Sequence, residues 1–319
     1  AAWPSSDSKE TSFALSGNEE TDSKETSFAL SRSKEASFPF SGSEETACPS
    51  SGSKATLSRH EREAASTAPL PAPFLFPLAG EPADILFTTG TTGLPKGVVL
   101  THANEWAAAT QINTFIGNDA ASVELLALPV SHSFGLGRLR CILQLGATLD
   151  LLGSFASMKK FYRELDTRGI TGFGMVPASW QYIRKMSGKK IENYASRLRY
   201  IEIGSAAMPS EEKQYLLSAL PHTRICMHYG LTEASRSAFI CFNDAPGQLA
   251  SIGRPAPGVD IRILGENAAE CAPGEEGELC VRGGQVSAGY WGEEASRHAD
   301  YFYGDYFRTG DWGYASADG

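Results

Sequence analysis

The sequence predicts an α/β fold with a largely parallel sheet. A disordered tail is expected before this fold and a β-rich segment after it. Three observations support this prediction. Short apolar runs alternate with amphipathic stretches from Ala83 to about residue 250, helical patterns are absent after Ile252, and residues 1–68 are low-complexity serine-rich repeats. The length of 319 residues is typical of about two domains.

Residues 1–68 repeat a ten-residue unit, as in SDSKETSFAL at 6–15 and TDSKETSFAL at 21–30. Helical solenoids need units of about 20 to 50 residues, so this period does not predict one. Serine and mixed charges leave few apolar side chains whose burial could offset the entropy of ordering. We therefore expect a disordered tail, with a phosphorylated or partner-binding segment as the alternative. A stiff proline-rich linker is expected over 69–82.

The α/β core is expected over residues 83–250, where strand-like and helix-like patterns alternate. The apolar runs have the length of buried strands, and the longer stretches carry apolar residues on one face. Predicted strands lie at 85–87, 124–128, 148–152, 172–176, 199–203 and 224–227. Predicted helices lie at 104–116, 137–145, 158–167, 179–186 and 210–219.

The β-rich subdomain is expected over residues 251–319. Three segments, VDIRIL, GELCVRG and YFRTGDWGY, have the pattern of strands, and glycine and proline separate them. No helical periodicity interrupts them, so this part should form a separate sheet.

Charge and composition exclude several classes of function. The formal net charge is −9 and no basic stripe is present, so nucleic acid is not an expected partner. No apolar run approaches the roughly 18 residues of a membrane span, and no signal peptide pattern opens the chain. The six cysteines are scattered without a C-x-x-C pair, which indicates reduced thiols and a cytoplasmic location. The chain begins with alanine rather than methionine, so we interpret it as a fragment.

The loop FTTGTTGLPKGV at 87–98 follows the first predicted strand. Its glycines expose backbone N–H groups, its threonines supply hydroxyls and Lys96 adds a positive charge, which together suit phosphate oxygens. It is not the P-loop of NTPases, because Pro95 and Gly97 flank the lysine, and G-x-G-x-x-G is absent. A plain glycine-rich turn is the structural alternative, but it does not account for the threonines and the lysine.

The segment TTGTTGLPKG resembles the phosphate-loop signature of the adenylate-forming superfamily, which includes acyl- and aryl-CoA synthetases, luciferases and peptide-synthetase adenylation domains. Further segments resemble the family's other motifs in the expected order: LPVSHSFG, IEIGSAAMP, MHYGLTEAS, SIGRPAPG, GELCVRG with GYW, and YFRTGDWGY. The chain is therefore identified as a member of this AMP-binding superfamily over residues 83–319. The resemblance implies the central part of the family's large domain, followed by a β-rich subdomain that ends at a ribose-binding aspartate.

The resemblance also implies a reaction and its cofactors. In the family, the carboxylate of an acid attacks the α-phosphorus of ATP to give an acyl-adenylate and pyrophosphate, so ATP and Mg²⁺ are expected. Glu233 is expected to bind Mg²⁺, a hard cation that prefers carboxylate oxygen, and Thr232 to contact the α-phosphate. Tyr229 is expected to stack on adenine, and Asp311 to accept both ribose hydroxyls. His132 is expected where the acid approaches ATP, which makes His132, Thr232 and Glu233 the catalytic candidates.

The remaining candidates are expected to bind the nucleotide. They are Thr88, Thr89, Gly90, Thr91, Thr92, Gly93 and Lys96 in the phosphate loop, and Gly204, Ser205, Ala206, His228 and Gly230 in the later motifs. Structural alternatives exist for single residues: a core aromatic for Tyr229, a helix-start acid for Glu233, a turn residue for Asp311 and a structural histidine for His132.

The substrate is expected to be an acyl or aryl acid. Members that activate amino acids place an aspartate near the proline–histidine segment, whereas LPVSHSFGLG contains no acidic residue. A buried ammonium there would lack a counter-charge, at a cost of several kcal/mol. The segments GFGMVPASW and GSAAM suggest an apolar pocket for the acid.

The expected function is an acid–thiol ligase, which transfers the activated acyl group to CoA or to the phosphopantetheine thiol of a carrier protein. The resemblance implies that the usual N-terminal segment and the C-terminal lid, with its adenylation lysine, are missing. The truncated chain is therefore expected to be weak or inactive alone. The alternative is a non-catalytic nucleotide-binding remnant with an interaction tail.

Overall fold

The structure is a computed structural model that describes residues 77–89, 95–293 and 299–317. The predicted tail, most of the linker, and Gly90, Thr91, Thr92 and Gly93 of the phosphate loop lie outside these ranges. Across the described residues, no helix is long and apolar enough to cross a membrane.

The chain enters the fold through an antiparallel hairpin. Strand β1 (Pro82–Thr89) pairs with β2 (Pro95–Thr101), so that Thr88 lies opposite Lys96. The sequence patterns predicted the first strand as part of the α/β core but did not predict β2. An apolar run indicates a strand but does not identify its partner.

Five helices follow in the described residues, and their predicted positions are confirmed. They are α1 (His102–Ile116), α2 (Ser133–Leu145), α3 (Met158–Thr167), α4 (Pro177–Ser187) and α5 (Ser210–Ala219). A capping box starts α1: the Thr101 hydroxyl accepts from the Asn104 N–H, and the Asn104 side chain accepts from the Thr101 N–H. Gly117 ends this helix at a φ of 81°, a left-handed conformation that favours glycine.

The central sheet has seven strands in the order β4-β3-β5-β6-β7-β8-β9. In chain order they are β3 (Val123–Leu126), β4 (Thr148–Leu151), β5 (Gly172–Met175), β6 (Tyr200–Ile203), β7 (Arg224–Tyr229), β8 (Ala238–Cys241) and β9 (Arg254–Pro255). The first five strands are parallel to one another, whereas β8 pairs antiparallel with β7 and β9 pairs antiparallel with β8. This largely parallel sheet confirms the α/β prediction. A helix lies in every crossover from β3 to β7, as parallel pairing requires long connections.

Helices cover both faces of this sheet. On one face, α3, α4 and α5 pack Phe161, Trp180 and Leu216 into the largest apolar cluster. On the other, α1 and α2 pack with β7 and β8 around Ile112 and Cys141. Adjacent residues of one strand serve opposite faces, and the parallel strands bring their carboxyl ends to one edge of the sheet.

The β-rich subdomain predicted after residue 250 is also confirmed. It is a four-stranded sheet in the order β10-β11-β14-β13. The remaining strands are β10 (Val259–Leu264), β11 (Gly277–Gly283), β12 (Gly289–Tyr290), β13 (Phe302–Tyr303) and β14 (Tyr306–Gly313). Strand β12 is not part of this sheet. It pairs with β2 and extends the entry hairpin to a three-stranded sheet.

A buried ionic cluster lies on the α1–α2 face of the central sheet. The fully buried Arg138 of α2 donates from Nε to Glu124 Oε1 at 2.7 Å and from Nη1 to Glu202 Oε2 at 3.1 Å. The Tyr200 hydroxyl donates to Glu124 at 2.7 Å. Burial opposes ionisation of Glu202, but Arg236 and Arg138 outweigh it and hold its pKa below the ordinary value. The cluster therefore ties β3 and β6 to α2.

We expect Arg138→Met to lower the free energy of unfolding by about 3–5 kcal/mol, because it leaves buried carboxylates without their partner. Urea denaturation measures this loss. The matched control is Arg197→Met, since Arg197 pairs with Asp166 at 3.5 Å on the surface, with almost half of its side chain exposed. That change should cost about 1 kcal/mol or less. Equal losses in the two variants would contradict the importance of the cluster.

Candidate functional site

A cavity of about 610 Å³ opens at the carboxyl edge of the parallel strands. The hairpin, the loops after β3, β6 and β7, and strands of the β-rich subdomain all contribute to its walls. Eight of the residues predicted from sequence line it: Thr88, Lys96, His132, Ser205, His228, Gly230, Thr232 and Glu233. Motifs separated by more than 100 residues of chain thus meet around one volume.

Five other candidates lie beside the cavity or next to residues that line it. The Tyr229 hydroxyl donates to Asp311 Oδ2 at 2.6 Å, which joins the two residues predicted to bind the nucleoside. Burial, followed by this hydrogen bond, raises the pKa of Tyr229. Gly204 lies against the ring of His228, and Ala206 is exposed without lining the cavity. Thr89 ends β1.

Lys96 already has anionic and phenolic partners. Its Nζ donates to the Tyr301 hydroxyl at 3.0 Å and lies 3.8 Å from Glu293 Oε1. The same Nζ is 4.8 Å from the centre of the Tyr290 ring. The hydrogen bond with Tyr301 and the attraction of nearby carboxylates raise the pKa of Lys96, so it carries a full charge at neutral pH. The lysine is thereby held as an ammonium at the cavity wall.

Glu233 lines the same cavity as this lysine and is also held in place. Its Oε1 accepts a hydrogen bond from the Tyr290 hydroxyl at 2.8 Å, and its carbonyl accepts from the Ser287 N–H at 2.8 Å. Burial and this carboxylate raise the pKa of Tyr290, so the phenol stays a donor. No cluster of three or more metal-ligating side chains occurs in the described ranges. A single carboxylate still suits Mg²⁺, which commonly binds through one or two carboxylates together with substrate phosphates.

His132 has a structural contact as well as a place at the cavity. Its Nδ1 accepts a hydrogen bond from the Phe134 N–H at 3.3 Å, which caps the start of α2. The ring is otherwise exposed and lines the cavity. The structural alternative for His132 therefore accounts for Nδ1, which caps the helix. It leaves Nε2 available to a ligand in the cavity.

Two cavity residues other than glycine have backbones in the left-handed region. Ser205 has a φ of 69° and Arg236 a φ of 50°. Such conformations cost about 1–3 kcal/mol and persist where the surrounding structure enforces them, often at functional sites. Both follow parallel strands, β6 and β7, at the edge that carries the cavity.

Sequence patterns missed several cavity residues. Tyr290 belongs to the GYW segment and Phe134 to LPVSHSFG, so both stood inside recognised motifs without an assigned role. Arg236 and Tyr301 lie outside every motif quoted for the resemblance, and only their contacts reveal them.

The apolar pocket expected from GFGMVPASW is wrong for that segment. Phe173, Met175 and Trp180 are at most 1% exposed, and none of them lines the cavity. The physical reason is that β5 is a central strand whose two faces are both covered by helices. Its apolar run serves the core.

The fold and the cavity define a class of protein, namely α/β proteins that bind a ligand at the carboxyl ends of parallel strands. The sequence profile of the AMP-binding enzyme family matches residues 17–291. That match includes part of the serine-rich segment, which lies outside the described residues. The chain belongs to the AMP-binding enzyme family, as its motifs indicated.

Curated relatives and solved structures agree with this membership. Malonate–CoA ligase of Mus musculus is 31% identical over 263 residues, covering 72% of this chain and 44% of that protein. The 2-succinylbenzoate–CoA ligase of Bacillus licheniformis is 32% identical over 239 residues, covering 74% and 48%. The O-succinylbenzoate coenzyme A synthetase of Bacillus subtilis, solved with ATP and magnesium, has a TM-score of 0.69 at 26% identity, covering 76% and 49%. The chain thus spans about half the length of these relatives.

We expect Lys96→Met to weaken Mg-ATP binding by about 10- to 100-fold, because hydrogen bonds to charged groups contribute about 1.5–3 kcal/mol. Isothermal titration calorimetry measures the affinity. The control Lys159→Met removes an exposed lysine at the start of α3 and should leave the affinity unchanged. Equal affinities for the wild-type chain and the Lys96 variant would refute a phosphate-binding role.

Glu233→Gln should remove the dependence of ATP binding on Mg²⁺, because a neutral amide is a poor ligand for this cation. The measurement compares ATP affinity with Mg²⁺ and with EDTA, and the ratio of the two should fall to about one in the variant. Glu211→Gln, which alters an exposed acid in the first turn of α5, should keep the wild-type ratio. A Glu233 variant with the wild-type ratio would rule out metal binding by this residue.

Proposed function

We propose that this chain supplies the nucleotide-binding cavity of an enzyme that activates a carboxylic acid with ATP and transfers the acyl group to a thiol. One observation carries the proposal: the Lys96 ammonium, the Thr232 hydroxyl and the Glu233 carboxylate face one cavity, with the Tyr229–Asp311 pair beside it. A cation, a hydroxyl donor and a hard-metal ligand around one volume suit a magnesium triphosphate. The relative solved with ATP and a magnesium ion supports this interpretation.

Each side chain has a distinct part in the proposal. Thr88 and Lys96 hold the terminal phosphates, and Thr232 hydrogen-bonds the α-phosphate. Glu233 holds Mg²⁺, which when bound neutralises phosphate charge and makes the α-phosphorus easier to attack. The chain's own contribution is placement and electrostatic stabilisation, since charge grows on phosphate oxygens during adenylate formation.

The nucleoside is assigned to Tyr229 and Asp311. The Tyr229 hydroxyl fixes one oxygen of Asp311, which leaves a pre-oriented acceptor for the ribose hydroxyls. Gly204, Ser205 and Ala206 are proposed to form the opposite wall for the adenine ring. The contact between Tyr229 and Asp311 joins β7 to β14, so the two parts of the fold would bind one nucleoside together.

The acid is assigned to the end of the cavity at His132. The Nδ1 of this histidine caps α2, whereas its Nε2 makes no hydrogen bond within the described part of the chain. We therefore assign Nε2 to the contact with the carboxylate of the acid. The thiol is CoA or the phosphopantetheine arm of a carrier protein. Relatives named as CoA ligases support CoA.

The assignment concerns the whole protein, because this chain spans about half the length of its curated relatives. Alone, the chain is proposed to bind Mg-ATP and to form adenylate weakly.

The test is ATP–pyrophosphate exchange with a panel of short-chain, long-chain and aryl acids, together with Mg-ATP calorimetry on the same preparation. We expect Mg-ATP binding, and slow exchange that one class of acid stimulates. Thr232→Val should abolish the stimulated exchange, and Thr167→Val, at the exposed end of α3, should not. Binding without exchange for any acid would support a non-catalytic nucleotide-binding protein. Absence of binding would overturn the proposal.

A further inference from the structure

We propose that the acid-binding end of the cavity accepts only short carboxylic acids, because the side chains of Phe134, His228 and Arg236 close it. The inference rests on the proposed function and names the substrate class of the same site. It replaces the apolar pocket that the sequence suggested.

The three side chains form a continuous wall next to His132. Phe134 and His228 meet edge to face with ring centres 4.7 Å apart, and the Arg236 guanidinium lies 4.9 Å from the centre of the Phe134 ring. All three line the cavity, yet Phe134 is only 3% exposed and Arg236 only 2%. Phe134 and Arg236 therefore present only a small part of their surface to the cavity.

Polar contacts hold this wall in place. Arg236 donates from Nη2 to the Phe134 carbonyl at 3.0 Å and from Nη1 to the Ser133 carbonyl at 3.2 Å. Glu202 Oε1 lies 3.3 Å from Arg236 Nε and 2.7 Å from His228 Nδ1. An acyl chain that displaced either residue would remove one of the partners of the buried Glu202 carboxylate, which is unfavourable.

Little space remains behind the wall. A Cβ atom added to Gly204 would lie 2.1 Å from the His228 ring, so the imidazole rests directly on the backbone there. A Cβ atom added to Gly174 would lie 3.1 Å from Leu128 and 3.2 Å from Phe134. The apolar volume beyond Phe134 is filled by its packing with Leu126 and Leu128. A long alkyl chain thus finds no channel in this direction.

The test uses acyl-sulfamoyl-adenosines, stable analogues of acyl-adenylates, with acetyl, butyryl and octanoyl groups. Calorimetry with the full chain measures binding and does not depend on turnover. We expect the octanoyl analogue to bind at least about tenfold more weakly than the acetyl analogue. In a pocket that buries the chain, each methylene would instead strengthen binding about fourfold. Octanoyl binding equal to or tighter than acetyl binding would overturn the inference.

Two variants test the wall itself. His228→Ala removes the ring from Gly204 and should shift the octanoyl-to-acetyl affinity ratio at least tenfold toward octanoyl. Phe134→Ala removes the neighbouring part of the wall and should also shift the octanoyl-to-acetyl affinity ratio toward octanoyl. With two variants, the test does not depend on the folding of either one. His222→Ala is the matched control, since this exposed histidine precedes β7 outside the cavity. An unchanged ratio in both wall variants would overturn the inference.

The two proposals fail in different ways. If neither Mg-ATP nor any analogue binds, the proposed function fails and the inference falls with it. If Mg-ATP and the octanoyl analogue both bind tightly, the proposed function stands and only the limit on acid length is refuted.

Discussion

The balance of buried charge around Glu202 is the constraint on which the site depends. Four charged side chains are almost completely buried there and neutralise one another. They are the carboxylates of Glu124 and Glu202 and the guanidinium groups of Arg138 and Arg236. They come from β3, β6, α2 and the segment after β7. Because a buried charge without its partner costs several kcal/mol, these elements can occupy only a narrow range of relative positions. The cavity is built on the same elements.

The two ends of the cavity are constructed differently. At the end proposed for the phosphates, Lys96 donates a hydrogen bond to the half-buried Tyr301, and the half-buried Tyr290 donates one to Glu233. Phosphate oxygens or Mg²⁺ can take over such contacts at little cost, because each ion gains a stronger partner. At the other end, Phe134 is buried against His228 and Arg236, which both contact Glu202 of the ionic cluster. This contrast between the two ends fits the proposed function. One end would bind the same nucleotide in every reaction, and the other end would select the acid.

Membership of the AMP-binding enzyme family explains why distant motifs converge, and the wall at the end of the cavity combines residues inside and beside those motifs. His228 precedes the tyrosine expected to contact adenine, and Arg236 follows the segment MHYGLTEAS. Their side chains meet Glu202, whose strand leads into the turn at Gly204. In the proposed function, the shared fold positions ATP, and this local group of polar side chains shapes the space for the acid.

The sequence by itself determined what depends on local spacing. The bounds of α3 and α5 and the strands β10 and β11 follow directly from apolar periodicity, and the ordered motifs identified the family and eight cavity residues. Only the tertiary structure decided which strands pair and which charges are buried together. Pairing of β12 with β2, and the contacts of Arg236 with Ser133 and Phe134 at the start of α2, join residues about 100 or more positions apart. Periodicity shows which face of an element is buried, but the partner on that face is chosen by packing and charge balance across the whole fold.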